Sequence, residues 1–65
     1  MNKKLKAKII ELFGTQGDFA QAIKEDESVV SRVIRGRRSP NHEQREKWAA
    51  VLDCKPEQLF SELNQ

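Results

Sequence analysis

The chain has little that could hold a fold together covalently or through a metal ion. A single cysteine excludes an internal disulfide, and one cysteine with one histidine cannot supply the four ligands of a structural zinc site. With 65 residues, one domain with a small hydrophobic core is expected. Its stability must therefore come from close helix packing or from association with a second copy.

Long apolar runs are also missing. The longest, Trp48–Leu52, is far shorter than the roughly 20 residues that span a bilayer. The basic N-terminus lacks the apolar segment of a signal peptide. We therefore expect no membrane partner and a cytoplasmic location, where an unpaired cysteine stays reduced.

Sequence motifs of catalysis and cofactor binding are absent as well. There is no glycine-rich phosphate loop, no HExxH pair, and no serine or cysteine with a plausible histidine base. His42 and Cys54 are separated by a whole predicted helix. A catalytic pocket would also take volume that so small a core cannot spare. The sequence thus predicts no enzyme, no cofactor, no metal and no small-molecule ligand.

Helical periodicity, in contrast, runs through the whole chain. Glycine and proline are sparse, and no window alternates with period two, which argues against strands. The apolar stripes indicate five short helices, so we predict a compact all-α fold in one domain, residues 1–65. The side chains expected to face inward are Leu5, Ile9, Ile10, Leu12, Phe13, Phe19, Ala20, Ile23, Val29, Val30, Val33, Ile34, Trp48, Val51, Leu52, Cys54, Leu59, Phe60 and Leu63.

Local signals mark where these helices begin and end. Gly14 and Gly36 are expected to end the first and third helices. Thr15 and Asp26 have the residue types of N-caps for the second and third helices. Asn41 with a glutamine three residues later predicts a capping box at the fourth, and the fifth would open at a proline.

Charge is segregated along the chain, although the net charge is only +2. Lysines gather in residues 3–8, arginines in residues 32–38, and acids in residues 25–27 and the C-terminal third. A basic face raises the local concentration of polyanions. The arginines lie on and just after the third predicted helix, residues 27–36, whose other face is aliphatic.

The second and third helices are separated by a tight turn near Lys24, which is the layout of a helix-turn-helix. The segment TQGDFAQAIKEDESVVSRVIRGRRSP, residues 15–40, resembles the helix-turn-helix of the phage-repressor/Cro-like (XRE) family, which has a lambda-repressor-like domain. The tail EKWAAVLDCKPEQLF, residues 46–60, is similar to that family's fourth and fifth helices. The positions that match the family's pattern are Thr15, Gln16, Ala20, Ile23, Val30, Ser31, Arg32, Val33 and Gly36.

Phe19 replaces a leucine of the family's pattern, and three further positions depart from it. Lys24 stands where a turn glycine is usual, Glu25 replaces an apolar residue, and Ile34 replaces a glutamate. A positive φ would cost a lysine about 1 kcal/mol or more. We therefore expect the turn at Lys24 to adopt a backbone different from the family's.

The resemblance implies a set of DNA contacts around the third helix, which would enter the major groove. Base-reading positions fall on Glu27, Ser28 and Arg32. Glu27 can accept from a cytosine amino group, Ser28 can bond a base on either strand, and Arg32 can bond guanine. Glu27 is equally well explained as an acid that favours its own helix dipole. For lysines 3–8, a solvated face is favoured over the alternative of a DNA contact. The residues expected at phosphates are Gln16, Ser31, Arg35, Arg37, Arg38 and Asn41.

The resemblance further implies a sequence-specific transcriptional regulator of the bacterial nucleoid, expected to be a repressor of phage or prophage type. We expect a homodimer on double-stranded DNA, joined through the C-terminal helix by Leu59, Phe60 and Leu63. The alternative is a protein-interaction module of the same fold, antitoxin-like or adaptor-like, with weak or no DNA binding. The acidic clusters and the small net charge support that alternative.

Overall fold

Five α-helices make up the structure, a computed structural model that describes residues 1–60. They are α1 (Lys3–Phe13), α2 (Gln16–Ile23), α3 (Glu27–Ile34), α4 (His42–Val51) and α5 (Pro56–Phe60), with no strand in the described range. The predicted all-α class is confirmed. None of these helices combines the length and the apolar character needed to cross a membrane.

The helices pack around one apolar cluster to which all five contribute. Helix α1 contacts α2, α3 and α5, α2 also contacts α3 and α4, and α4 contacts α5. Aromatic rings run edge to face through the cluster, with centroid separations of 5.4 Å for Phe13–Phe19 and 5.5 Å for Phe19–Trp48. The buried apolar residues are Leu5, Ile9, Phe19, Ala20, Ile23, Val30, Val33, Ile34, Trp48, Ala49, Leu52, Leu59 and Phe60.

The apolar face predicted for α1 includes two residues that are not buried. Leu5 and Ile9 are fully buried, but Ile10 and Leu12 are 45% and 46% exposed. The direction toward the core is defined by Leu5, Ile9 and the half-buried Phe13. Ile10 and Leu12 point about 100° and about 60° to either side of that direction, where no helix within residues 1–60 covers them fully. Val51 and Cys54, which we predicted to be buried, are half-buried.

A buried polar residue, Asn2, connects three helices. Its side-chain Oδ1 accepts a hydrogen bond from the Leu5 N–H at 3.1 Å and so caps α1. Its Nδ2 donates to the carbonyl of Leu59 at 2.6 Å, and its backbone N–H donates to the carbonyl of Ile34 at 2.6 Å. The start of α1, the end of α3 and helix α5 are therefore held together at one point.

Most of the predicted helix ends are observed. Gly14 follows α1 with a φ of 86°, and the Thr15 hydroxyl caps α2 by accepting from the Asp18 N–H at 3.1 Å. The capping box at Asn41 is present at the start of α4. Asp26 does occupy the N-cap position of α3, but its carboxylate makes no capping hydrogen bond. The prediction of a side-chain cap at Asp26 is therefore wrong.

The burial of Leu59 and Phe60 corrects the predicted basis of a dimer contact. These side chains are only 3% and 2% exposed, because α5 folds against α1 and α4. A single chain already covers them, so they have no surplus apolar surface to offer a second copy. Leu63, the third residue named for this contact, lies outside the described residues. Homodimerisation itself stays a prediction.

Candidate nucleic-acid interface

The turn between α2 and α3 consists of residues 24–26 and is closed by backbone hydrogen bonds. Lys24 takes the left-handed conformation, with φ 60° and ψ 43°. The N–H groups of Lys24 and Glu25 donate to the carbonyls of Gln21 and Ala20 at 3.2 and 2.9 Å, the paired bonds of a Schellman motif. The expectation that a lysine avoids this conformation is wrong, because these two bonds offset a conformational cost of about 1 kcal/mol.

Glu25, which replaces an apolar residue of the family pattern, ties this turn to α4. Its Oε2 accepts a hydrogen bond from Nε2 of Gln44 at 3.1 Å in a partly buried position. Gln44 also accepts from the Asn41 N–H at 3.0 Å and donates its own N–H to Oδ1 of Asn41 at 2.8 Å. One glutamine thus fixes both the turn before α3 and the place where the chain enters α4.

Helix α3 has a buried side and a polar side. Val30, Val33 and Ile34 are buried. Ser28, Arg32 and Arg35 are exposed, and their spacing of four and three residues places them in one row about 10 Å long.

The rest of α3 fits the same division. Ser31 and Val29, at the edges of the polar row, are half-buried. Helix α3 contacts only α1 and α2, so no helix in the described part of the chain covers the row.

The end of α3 comes two residues earlier than predicted. The helix stops at Ile34, and Gly36 has a φ of 80°. The N–H groups of Gly36 and Arg37 donate to the carbonyls of Val33 and Arg32 at 3.1 and 2.9 Å, again closing a Schellman motif. The predicted span 27–36 therefore includes the two capping residues Arg35 and Gly36, and Arg37 lies in the bend that follows, just after the helix as predicted.

All four arginines of this region are exposed, namely Arg32, Arg35, Arg37 and Arg38. Within residues 1–60, none of their guanidinium groups takes part in a hydrogen bond or an ion pair. Each guanidinium group presents five N–H donors. The structure thus gives α3 and the bend after it a set of exposed cationic donors with no competing acceptor among residues 1–60.

Two of the predicted phosphate contacts lie at helix starts. Gln16 is the half-buried first residue of α2, and its backbone N–H has no acceptor in the described part of the chain. Asn41 is different, because its backbone N–H and its Oδ1 are both used in the capping box with Gln44. Only the side-chain Nδ2 of Asn41 is left to donate to a phosphate.

Glu27 lies between the two helices. It is exposed at the start of α3, yet its carboxylate reaches the first turn of α2. A methyl group built on Gly17 would lie 3.6 Å from Oε1 and 3.8 Å from Oε2 of Glu27. The side chain at the start of α3 therefore reaches the first turn of α2. This neighbour of Glu27 is not visible in the sequence pattern.

The remaining candidate residues do not form a second site. Lys8 is half-buried and pairs with Glu11 at 3.8 Å. His42 is exposed, and the thiol of Cys54 donates to the carbonyl of Leu52 at 3.4 Å. Residues 1–60 contain no cluster of three or more metal-ligating side chains.

The fold and this face together define a small all-helical domain with a guanidinium-rich surface on one short helix. Comparisons of the chain with known protein families, with curated proteins and with solved structures gave no match.

Proposed function

We propose that this chain binds double-stranded DNA in a sequence-specific way, with α3 as the recognition helix, and that it regulates transcription. The supporting observation is the exposed row of Ser28, Arg32 and Arg35 on a helix whose opposite side is buried. A helix with its side chains is about 10–12 Å wide and fits a major groove about 12 Å wide.

The roles of the side chains follow from their chemistry. Arg32, in the middle of the row, can donate two hydrogen bonds to O6 and N7 of a guanine. Ser28, one turn earlier, can bond a base on either strand. Arg35, Arg37 and Arg38 follow at the C-terminal end of α3, where they can hold phosphates and set the register without reading sequence. Because their guanidinium groups have no internal partner among the described residues, DNA binding breaks no ion pair there.

The helix-turn-helix resemblance supports the same proposal. Lys24 adopts the left-handed backbone that a turn glycine would supply, and Glu25 is held by Gln44. Helix α2 packs directly against α3, and its free N-terminal N–H groups can attract a phosphate beside the groove. In this arrangement α2 braces α3 against the DNA backbone.

The type of regulator proposed is a repressor of the phage-repressor/Cro-like kind that acts by occupying its site as a homodimer. Two copies of α3 would then lie in successive major grooves about 34 Å apart. Since Leu59 and Phe60 are used within the chain, the contact between copies must involve other residues.

Selection of bound sequences from a random duplex pool tests this proposal. We expect one enriched motif whose half-sites are about 10 base pairs apart. Affinity for the enriched duplex should fall with salt with a logarithmic slope near −0.9 per phosphate neutralised. If no motif is enriched and binding is negligible near physiological salt, the proposal fails and the protein-interaction alternative replaces it.

A further inference from the structure

We infer that Gln44 is a positioning residue for DNA binding, because its side-chain amide holds both ends of the segment that carries most of the proposed DNA contacts. This recognition segment, residues 26–40, consists of α3 with its cap and the arginine-rich link to α4. Gln44 lies on α4 and is not itself a proposed DNA contact. The inference rests on the proposed function, since it adds to that function a residue that acts without touching DNA.

The recognition segment begins after Glu25 and ends before Asn41, and Gln44 is hydrogen-bonded to both of these residues. Its Nε2 donates to Oε2 of Glu25 at 3.1 Å, and its Oε1 accepts from the Asn41 N–H at 3.0 Å. The Gln44 N–H also donates to Oδ1 of Asn41 at 2.8 Å, which fixes the glutamine at the start of α4. One amide group therefore bridges two residues that the whole recognition segment separates.

Helix packing alone does not connect the recognition segment to α4. Helix α3 contacts α1 and α2, but within residues 1–60 it does not contact α4. After α3, residues 35–39 are exposed as far as the buried Pro40. Glu25 and Gln44 are both half-buried, so water competes less for their hydrogen bond than for an exposed one. This bond therefore sets where α3 starts relative to the link that ends at α4.

Contacts from the two parts of the recognition segment must be made together. Ser28 and Arg32 reach base edges only if α3 enters the groove at the correct angle, whereas Arg37 and Arg38 fix the register on phosphates. If the start of α3 shifts relative to the link, one set of contacts is lost when the other is made. Binding to unselected DNA depends mainly on total charge and is less sensitive to such a shift. Loss of the bond should therefore reduce the preference for the selected sequence.

The test exchanges the two bonded residues. Gln44→Glu places two carboxylates face to face and breaks the bond to Glu25, while the new carboxylate can still accept from the Asn41 N–H. Adding Glu25→Gln restores the bond with donor and acceptor exchanged, and this double variant has the net charge of the wild type. Gln58→Glu is the matched control, because Gln58 likewise accepts from the Lys55 N–H at 3.0 Å at the start of α5. Helix α5 contacts neither α2 nor α3.

Affinities are measured for the enriched duplex and for a scrambled duplex of equal composition, at a temperature where thermal unfolding shows each variant to be folded. We expect Gln44→Glu to lower the ratio of the two affinities about threefold to tenfold, the effect of one hydrogen bond on an equilibrium. The double variant should return this ratio to within about twofold of the wild type, and Gln58→Glu should leave it there. If Gln44→Glu does not fold, Glu25→Ala removes the acceptor without repulsion, and the same loss is expected.

Three results would overturn the inference: an unchanged ratio when the bond is broken, a double variant that stays low, or an equal loss in Gln58→Glu. The two proposals fail in different ways. If the wild-type protein prefers an enriched duplex and Gln44→Glu keeps that preference, only the role of Gln44 is wrong. If the wild-type protein enriches no duplex, the proposed function is wrong and the inference falls with it.

Discussion

Replacement of Asn2 by alanine should remove a large part of the stability of the fold. The change leaves the Leu5 N–H and the Leu59 carbonyl without their side-chain partner, and both bonds are buried. Each buried backbone group that loses its partner costs about 1–3 kcal/mol, so we expect the loss of both bonds to cost about 2–6 kcal/mol. A chain of this length has a total unfolding free energy of only about 3–10 kcal/mol.

Urea unfolding followed by tryptophan fluorescence measures this loss. Trp48 is the only tryptophan and is fully buried, so its emission reports global unfolding. Asn41→Ala is the matched control, because Asn41 is also an N-cap asparagine but is exposed. The loss of that cap should cost about 0.5–1 kcal/mol. Asn2→Ser should fall between the two, because serine keeps a cap acceptor and loses the donor to Leu59.

None of these substitutions removes the backbone N–H of residue 2 or the carbonyl of Ile34, so differences among the variants report the side chain alone. If Asn2→Ala costs no more than Asn41→Ala, the bond to Leu59 contributes nothing and the reasoning is refuted.

Further predictions concern α3 and the turns around it. Arg32→Ala should cost about 1–3 kcal/mol of binding and relax one base position, whereas Arg38→Ala should weaken all duplexes alike and flatten the salt slope. Parallel selections show which occurs, and an unchanged preference in Arg32→Ala would rule out base reading by Arg32. Lys24→Gly should raise the unfolding free energy by about 0.5–1 kcal/mol, because glycine takes the left-handed conformation without strain. A drop in its thermal midpoint would contradict this. Gly36→Ala should lower that free energy by about 1 kcal/mol through strain alone, since nothing lies within 4 Å of the added methyl group. Equal midpoints for wild type and Gly36→Ala would show that the turn relaxes.

The helices themselves could be predicted because their signals are local. The inner faces of α2 and α3 follow from apolar residues spaced by three and four, and the cap at Thr15 acts on a residue three positions away. The same kind of local signal gave a wrong prediction at Asp26, which is a residue type that often caps helices but makes no capping hydrogen bond here. It also misled at Leu12, because periodicity defines a stripe but not how much of that stripe neighbouring helices cover.

In the candidate site, too, features that depend on local spacing could be predicted from the sequence, and features that depend on helix packing could not. Arg32 and Ser28 could be placed on the exposed row from helical spacing alone. The contact of Glu27 with Gly17 could not, because it depends on the angle at which α2 and α3 meet. Likewise, the sequence shows Glu25 only as a departure from a family pattern. Its hydrogen bond to Gln44, 19 residues away, requires the packing of α4 against α2.

By itself, then, the sequence determined which segments are helical, which faces of α2 and α3 turn inward, and that the arginines cluster at the end of α3. Backbone hydrogen bonds and capping act over a few residues, so these properties need no knowledge of the rest of the chain. Only the tertiary structure decided that Asn2 bonds Leu59, 57 residues away, and that Leu59 and Phe60 are consumed by the core of one chain. Those outcomes depend on how five short helices share one small core, which no local pattern encodes.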